Sequence, residues 1–145
     1  MRKDVIIFGS LAGIIGNVVK LIVSLPLYYA GLIDKTYIHI ASGYYSNEKM
    51  DSIFTVINST LTDFFYAAFL GVLFYIVLRY TDMKYVKLKG ILFGGFVHVV
   101  NNGVLIFEGF NKAIFDNPNA FFLMFPTIIF GLSTCWAIER IEKEH

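Results

Sequence analysis

Four runs of mostly apolar residues, 5–33, 53–80, 88–107 and 120–138, fill most of a 145-residue chain. Each reaches the roughly 20 residues a helix needs to cross the hydrocarbon core of a bilayer. A helix satisfies its own backbone hydrogen bonds, which lipid cannot do for it. The sequence therefore predicts an all-α fold: one domain over 1–145, an integral membrane four-helix bundle in the cell membrane. Composition points the same way, with 57% apolar and 16% charged residues, where soluble domains carry roughly half and about a quarter. The first run follows Met1-Arg2-Lys3-Asp4 as a secretory signal would. It is far longer than the roughly 7–15 apolar residues of a signal peptide and no small-residue cleavage site follows, so it reads as a retained span.

Several function classes fall away. A net charge of +1 with no basic patch gives nothing to neutralise phosphates, so nucleic acid is not an expected partner. Cys135 is the single cysteine and no His/Cys spacing matches a zinc site. His39, His98 and His145 fall in an outer connection, a span and a tail, too far apart to share an ion within one chain. No metal and no cofactor is expected. No Gly-x-Ser-x-Gly elbow is present, and a lipid-modifying enzyme would need Asp63, His98 or Glu108 as acid or base at spacings that do not favour it. No catalytic residue is assigned. The pattern Asn58-Ser59-Thr60 matches a glycosylation acceptor but lies at a helix end, where it is read as chance. No repeat or low-complexity tract is visible.

Positively charged connections stay on the cytoplasmic side of a membrane. Arg2, Lys3, Arg79, Lys84, Lys87, Lys89, Arg140 and Lys143 gather on one side, against Lys35, Lys49 and Lys112 on the other. Both termini are thus expected in the cytoplasm. Tyr28, Tyr29 and Tyr37 would flank the outer boundary, and Tyr80, Tyr85 and Trp136 the inner one, as interfacial belts. The outer connection 34–52 is aromatic enough to lie on the bilayer surface.

Helices in lipid associate through small residues and side-chain hydrogen bonds, because apolar burial gains nothing there. Each span carries one such stripe: Gly9, Gly13, Gly16, Asn17, Lys20 and Ser24; Thr60, Asp63, Ala67 and Gly71; Gly90, Gly94, His98, Asn101 and Asn102, with Glu108 just beyond; Thr127, Gly131 and Thr134. These are the expected inward faces. At 1.5 Å per residue from the cytoplasmic ends, Lys20 stands roughly 22 Å in and Asp63 roughly 25 Å in, while His98, Asn101 and Asn102 lie at roughly 15 to 21 Å. The polar groups share the outer half and the glycines of the first and third spans the inner half, which predicts a polar pocket opening outward.

Lys20 is the sharpest feature, since a lysine in hydrocarbon is unfavourable by at least about 2.5 kcal/mol and needs a partner. Asp63 is the expected counter-ion. His98 titrates near neutral pH, and Asn17, Asn101 and Asn102 offer donors and acceptors. A purely structural pair fixing helix register, or a lysine snorkelling to the interface, explains the same residues without a ligand.

The segments Leu11-Ala12-Gly13-Ile14-Ile15-Gly16-Asn17-Val18-Val19-Lys20 and Tyr85-Val86-Lys87-Leu88-Lys89-Gly90-Ile91-Leu92-Phe93-Gly94 resemble small uncharacterised four-span membrane proteins of Gram-positive bacteria. That resemblance implies a fold and a compartment and no activity. Gly13, Gly16 and Lys20 are also similar to the Gly-x2-Gly-x3-basic pattern in the first span of small fluoride channels. Gly94-Gly95-Phe96-Val97-His98 departs from their Thr- and Phe-rich helix break, which speaks against fluoride conduction.

Two functions follow as expectations. One is a transport or channel-like protein binding a small polar or anionic solute in an outward-facing pocket, with Lys20 as cationic anchor, Asp63 as its gate partner, and Asn17, His98, Asn101 and Asn102 as lining. The other is a structural or accessory membrane subunit whose ion pair serves helix packing only. So small a bundle encloses little volume, so a homo-oligomer, or membership of a larger membrane complex, is expected beside the lipid bilayer itself.

Overall fold

The computed structural model describes residues 4–33, 36–38, 52–107 and 119–144, apart from the side chains of residues 102–107, 119 and 120. It is all-α there, with α1 (Val5–Tyr29), α2 (Ile53–Tyr80), α3 (Val86–Phe107) and α4 (Asn119–Glu144). Three helices, α1, α2 and the Phe121–Glu144 portion of α4, are long and apolar enough to cross a membrane.

Local chemistry sets the helix ends. Asp4 caps α1, its Oδ1 accepting from the backbone N–H of Ile6 at 2.9 Å and of Ile7 at 3.1 Å, which satisfies two of the donors a helix start leaves open. The apolar run continues to Ile33, but the helix stops at Tyr29. Gly31 takes φ +72, a conformation open to a residue without Cβ. The Gly31 N–H then donates to the Tyr28 carbonyl and that of Leu32 to the Leu27 carbonyl, each at 3.0 Å, a paired Schellman stop. Past it the chain turns back, and Ile33, Tyr37 and Leu123 form a small buried cluster with Leu27 and Phe122 packed against it. At the other end α4 runs on through the charged tail to Glu144.

Consecutive helices are antiparallel neighbours. A Cβ built on Gly9 would stand 2.6 Å from Cα of Val72, one on Gly13 would collide with the Ala67 carbonyl oxygen, and one on Gly71 would stand 2.6 Å from Cα of Gly13. α1 and α2 therefore touch backbone to backbone. The seam recurs between α3 and α4, where Gly90 and Gly94 take the parts of Gly9 and Gly13, and Gly131 that of Gly71. Gly13 faces Ala67 as Gly94 faces Thr127, so the two hairpins share one register. Close approach of this kind replaces the missing hydrophobic drive when helices pack in lipid.

α1 also packs on α4, with Gly16 against Thr134 and Phe130. α2 and α3 meet through side chains, the Phe74 and Phe93 rings stacking at 4.3 Å. Phe74 belongs with Ala12, Tyr75, Leu78, Cys135 and Ile138 to the apolar cluster at one end. Ala67, Leu70, Val97 and Phe130 form a second cluster, and the polar residues gather beyond it.

Candidate functional site

The inward face of α1 is the stripe its sequence marks: Gly9, Ala12, Gly13, Gly16, Asn17, Lys20 and Ser24 are all buried. Lys20 and Asn17, one turn apart, converge on one carboxylate of α2. Lys20 Nζ donates to Asp63 Oδ1 at 2.8 Å and to Oδ2 at 3.2 Å, and Asn17 Nδ2 donates to Oδ2 at 2.9 Å. Lys20 and Asp63 are each 5% exposed and Asn17 is fully enclosed. With so little water to screen it, the carboxylate has to find its compensation among these donors.

The ammonium is capped from outside. The Tyr37 ring centre lies 4.4 Å from Lys20 Nζ and that of Phe130 at 6.0 Å, within the range where an aromatic face attracts a cation. Tyr37 is fastened by its hydroxyl, which donates to the Leu123 carbonyl at 2.8 Å. That carbonyl lies beside the turn that Pro126 loosens in α4, since proline has no N–H to give the carbonyl four residues back. Burial pushes the Tyr37 hydroxyl above its usual pKa of 10.0, with the charge of Asp63 in the same direction against a hydrogen bond with Thr127. It therefore stays a protonated donor at neutral pH.

Two expectations are corrected here. Tyr37, expected at an interface, is buried, as is Thr36, so this part of the 34–52 connection tucks inward, whereas Tyr29, Tyr80 and Tyr85 are strongly exposed. The Tyr37 ring thereby covers the ion pair on one side. On α2 the buried hydroxyl is Ser59, four residues before Asp63, and not Thr60.

Of the other predicted site residues, His98 is half-buried, and the neighbouring Val97 is the one enclosed with Ala67, Leu70 and Phe130. Asn101 accepts the Tyr66 hydroxyl at 2.6 Å, which joins α3 to α2 one turn beyond Asp63 without reaching the carboxylate. The structure thus brings together Lys20, Asp63 and Asn17 and sets Asn101 beside them on a second link. The Asn102 side chain, Glu108, His39 and His145 lie outside the described residues.

Sequence reading missed Tyr37, Ser59 and Phe130. Among the described residues Asn17 Oδ1, Ser59 Oγ and Thr134 Oγ1 are buried with no hydrogen-bond partner, each a polar group whose burial calls for an explanation. No three His, Cys, Asp or Glu side chains gather as metal ligands among the described residues. The chemistry on offer is that of one carboxylate, one ammonium, open acceptors and aromatic faces.

No family model matches the chain, and no curated protein or solved structure matches it either.

Proposed function

We propose that the chain is a four-span integral membrane protein, a four-helix bundle with both termini cytoplasmic, that binds a small polar solute at Lys20, Asp63 and Asn17 and moves it as a transporter or channel-like protein. The membrane part is supported by three helices of spanning length among the described residues and by the exposed faces of α1, α2 and α3, where Ile6, Ile22, Phe54, Phe65, Leu92 and Phe96 are each more than half exposed. A soluble monomer rarely presents so much contiguous apolar surface. The orientation follows from the excess of Lys and Arg at the N-terminus, the 81–87 connection and the tail.

The observation that carries the solute reading is a buried ion pair accompanied by unfilled polar atoms. An ion pair retained only for packing would have its remaining lone pairs filled, because every open polar group beside it is destabilising. Ionisable groups at bilayer depth mark pathways and binding sites more often than they mark packing. Thermal unfolding of the purified chain against a panel of ions, sugars and amino acids tests this. A stabilising solute whose effect disappears in Asp63→Asn supports the reading.

A second reading has one observation in its favour: Lys20 and Asp63 already neutralise each other at 2.8 Å. An accessory subunit whose pair only sets helix register needs nothing more. If the double variant Lys20→Met, Asp63→Leu is as stable as the parent and no solute shifts the melting point of the parent, that reading prevails.

A further inference from the structure

The nature of the solute can be argued from Asn17, granted the reading of this site as a solute chamber. A carboxylate only accepts hydrogen bonds, so the Asn17 atom facing Asp63 must be the amide nitrogen, and the acceptor Oδ1 is the one left buried and open. Ser59 Oγ, one turn from Asp63, is open as well. The Lys20 ammonium is fully engaged, with both carboxylate oxygens on one side and the faces of Tyr37 and Phe130 on others. Among the described residues, the groups open to a ligand here are thus an acceptor, a hydroxyl and two electron-rich rings. An anion entering here would face like charge and lone pairs, and could reach Lys20 only by stripping it from a carboxylate left beside it. A cation with N–H donors meets what it needs on every side.

We propose that the chamber is a receptor for a small monovalent cation bearing N–H donors, ammonium or a primary alkylammonium, and that Lys20 occupies it as a tethered stand-in. Asp63 supplies the charge, Tyr37 and Phe130 the cation-binding faces, and Asn17 Oδ1 and Ser59 Oγ the acceptors. One carboxylate balances one positive charge, whereas calcium or magnesium calls for several oxygen ligands. Two ammonium groups against a single buried carboxylate would leave a charge uncompensated, so occupancy by the solute and by Lys20 are mutually exclusive and the site works by exchange.

The test is thermal unfolding of the purified full-length chain in methylammonium chloride, sodium chloride, sodium formate and glucose, with the salts at matched ionic strength. Wild type is expected to gain stability in methylammonium chloride beyond that in sodium chloride. Lys20→Ala, freed of its internal competitor, should reach half-saturation at a concentration at least about tenfold lower, and Asp63→Asn should lose the effect. Equal responses to methylammonium and sodium in wild type overturn the proposal. If formate or glucose stabilises wild type and methylammonium does not, the chamber stands and the cation assignment falls. If no solute of any charge shifts the melting point, both fall. Should Lys20→Ala fail to fold, the wild-type preference for methylammonium over sodium, and its reduction in Tyr37→Leu, decide the matter.

Discussion

The Lys20 ammonium lies 4.4 Å from the centre of the Tyr37 ring, so a residue of the α1–α2 connection forms the outer wall of a charge held between two helices. The connection and the ion pair are therefore one structural unit. Whatever moves Tyr37 changes the surroundings of Lys20, and whatever removes the ammonium takes away one of the interactions that keep Tyr37 in place.

Tyr37 holds by its hydroxyl and by its ring, and two substitutions separate the two. Tyr37→Phe keeps the ring over Lys20 and loses the bond to the Leu123 carbonyl, an expected loss of about 1 kcal/mol. Tyr37→Leu removes the aromatic face as well, adding about 0.5–2 kcal/mol. Equilibrium unfolding of both variants should rank them wild type, Phe, Leu. Equal stability of the Phe and Leu variants would show that the ring contributes nothing to holding the cation.

Lys20 and Asp63 should behave as a pair. Lys20→Met leaves a buried, uncompensated carboxylate and is expected to destabilise by about 3–5 kcal/mol. Adding Asp63→Leu removes the stranded charge, and the double variant should recover most of that loss. A double-mutant cycle on thermal or denaturant unfolding measures the coupling. Additive losses would mean that the two side chains do not interact as their 2.8 Å separation requires.

The turn between α2 and α3 gives a prediction about pH. Asp82 sits at φ +68, a region that Asp tolerates better than most residues. Its Oδ1 accepts from the Lys84 backbone N–H at 2.9 Å, while Lys89 Nζ donates to the Thr81 and Asp82 carbonyls at 2.9 Å each. The Lys84 N–H foremost, and then Lys89, hold the Asp82 carboxyl below its usual value of 3.8. Because the folded pKa is depressed, the contribution of this group is complete above the unfolded value and fades as pH falls through the lower folded one. A carboxyl NMR titration should place the Asp82 midpoint below that of an exposed aspartate, and Asp82→Ala should flatten the acid limb of the stability profile. A midpoint at or above 3.8 would contradict the turn geometry.

Much of the site was legible in the sequence because helices are regular rulers. Counting 1.5 Å per residue from opposite ends put Lys20 and Asp63 at similar depth, and their side chains do meet. Helical phase was harder to read where neighbours look alike. Ser59 and Thr60 are adjacent hydroxyl residues about 100° apart on the wheel, and only the phase of Asp63 and Ala67 decides that Ser59 turns inward. Steps of four residues also drift: from Gly90 to Gly94 to His98 each step overshoots a full turn, so Val97 stays in the seam and His98 slips to its edge. Tyr37 could not be read at all. In a connection rich in tyrosine and isoleucine, an aromatic that plugs the interior and one that rests at an interface have the same signature.

The glycine seams supply the most direct test of the fold, because two adjacent glycines on α3 differ in surroundings. A Cβ on Gly94 would collide with the Thr127 carbonyl oxygen and stand 2.7 Å from Cα of Ile128, whereas one on Gly95 meets nothing within 4 Å. The neighbours of Gly94 are backbone atoms and cannot swing aside, so Gly94→Ala has to push α3 from α4, an expected loss of about 1–3 kcal/mol. Gly95→Ala should be neutral or better by up to about 1 kcal/mol, as alanine is the stronger helix former. Gly71→Ala, against Gly9 and Gly13, should repeat the Gly94 result in the other hairpin if the two seams are built alike. Thermal unfolding of the three variants in one detergent makes the comparison. Equal losses for Gly94→Ala and Gly95→Ala would mean that α3 presents a different face to α4.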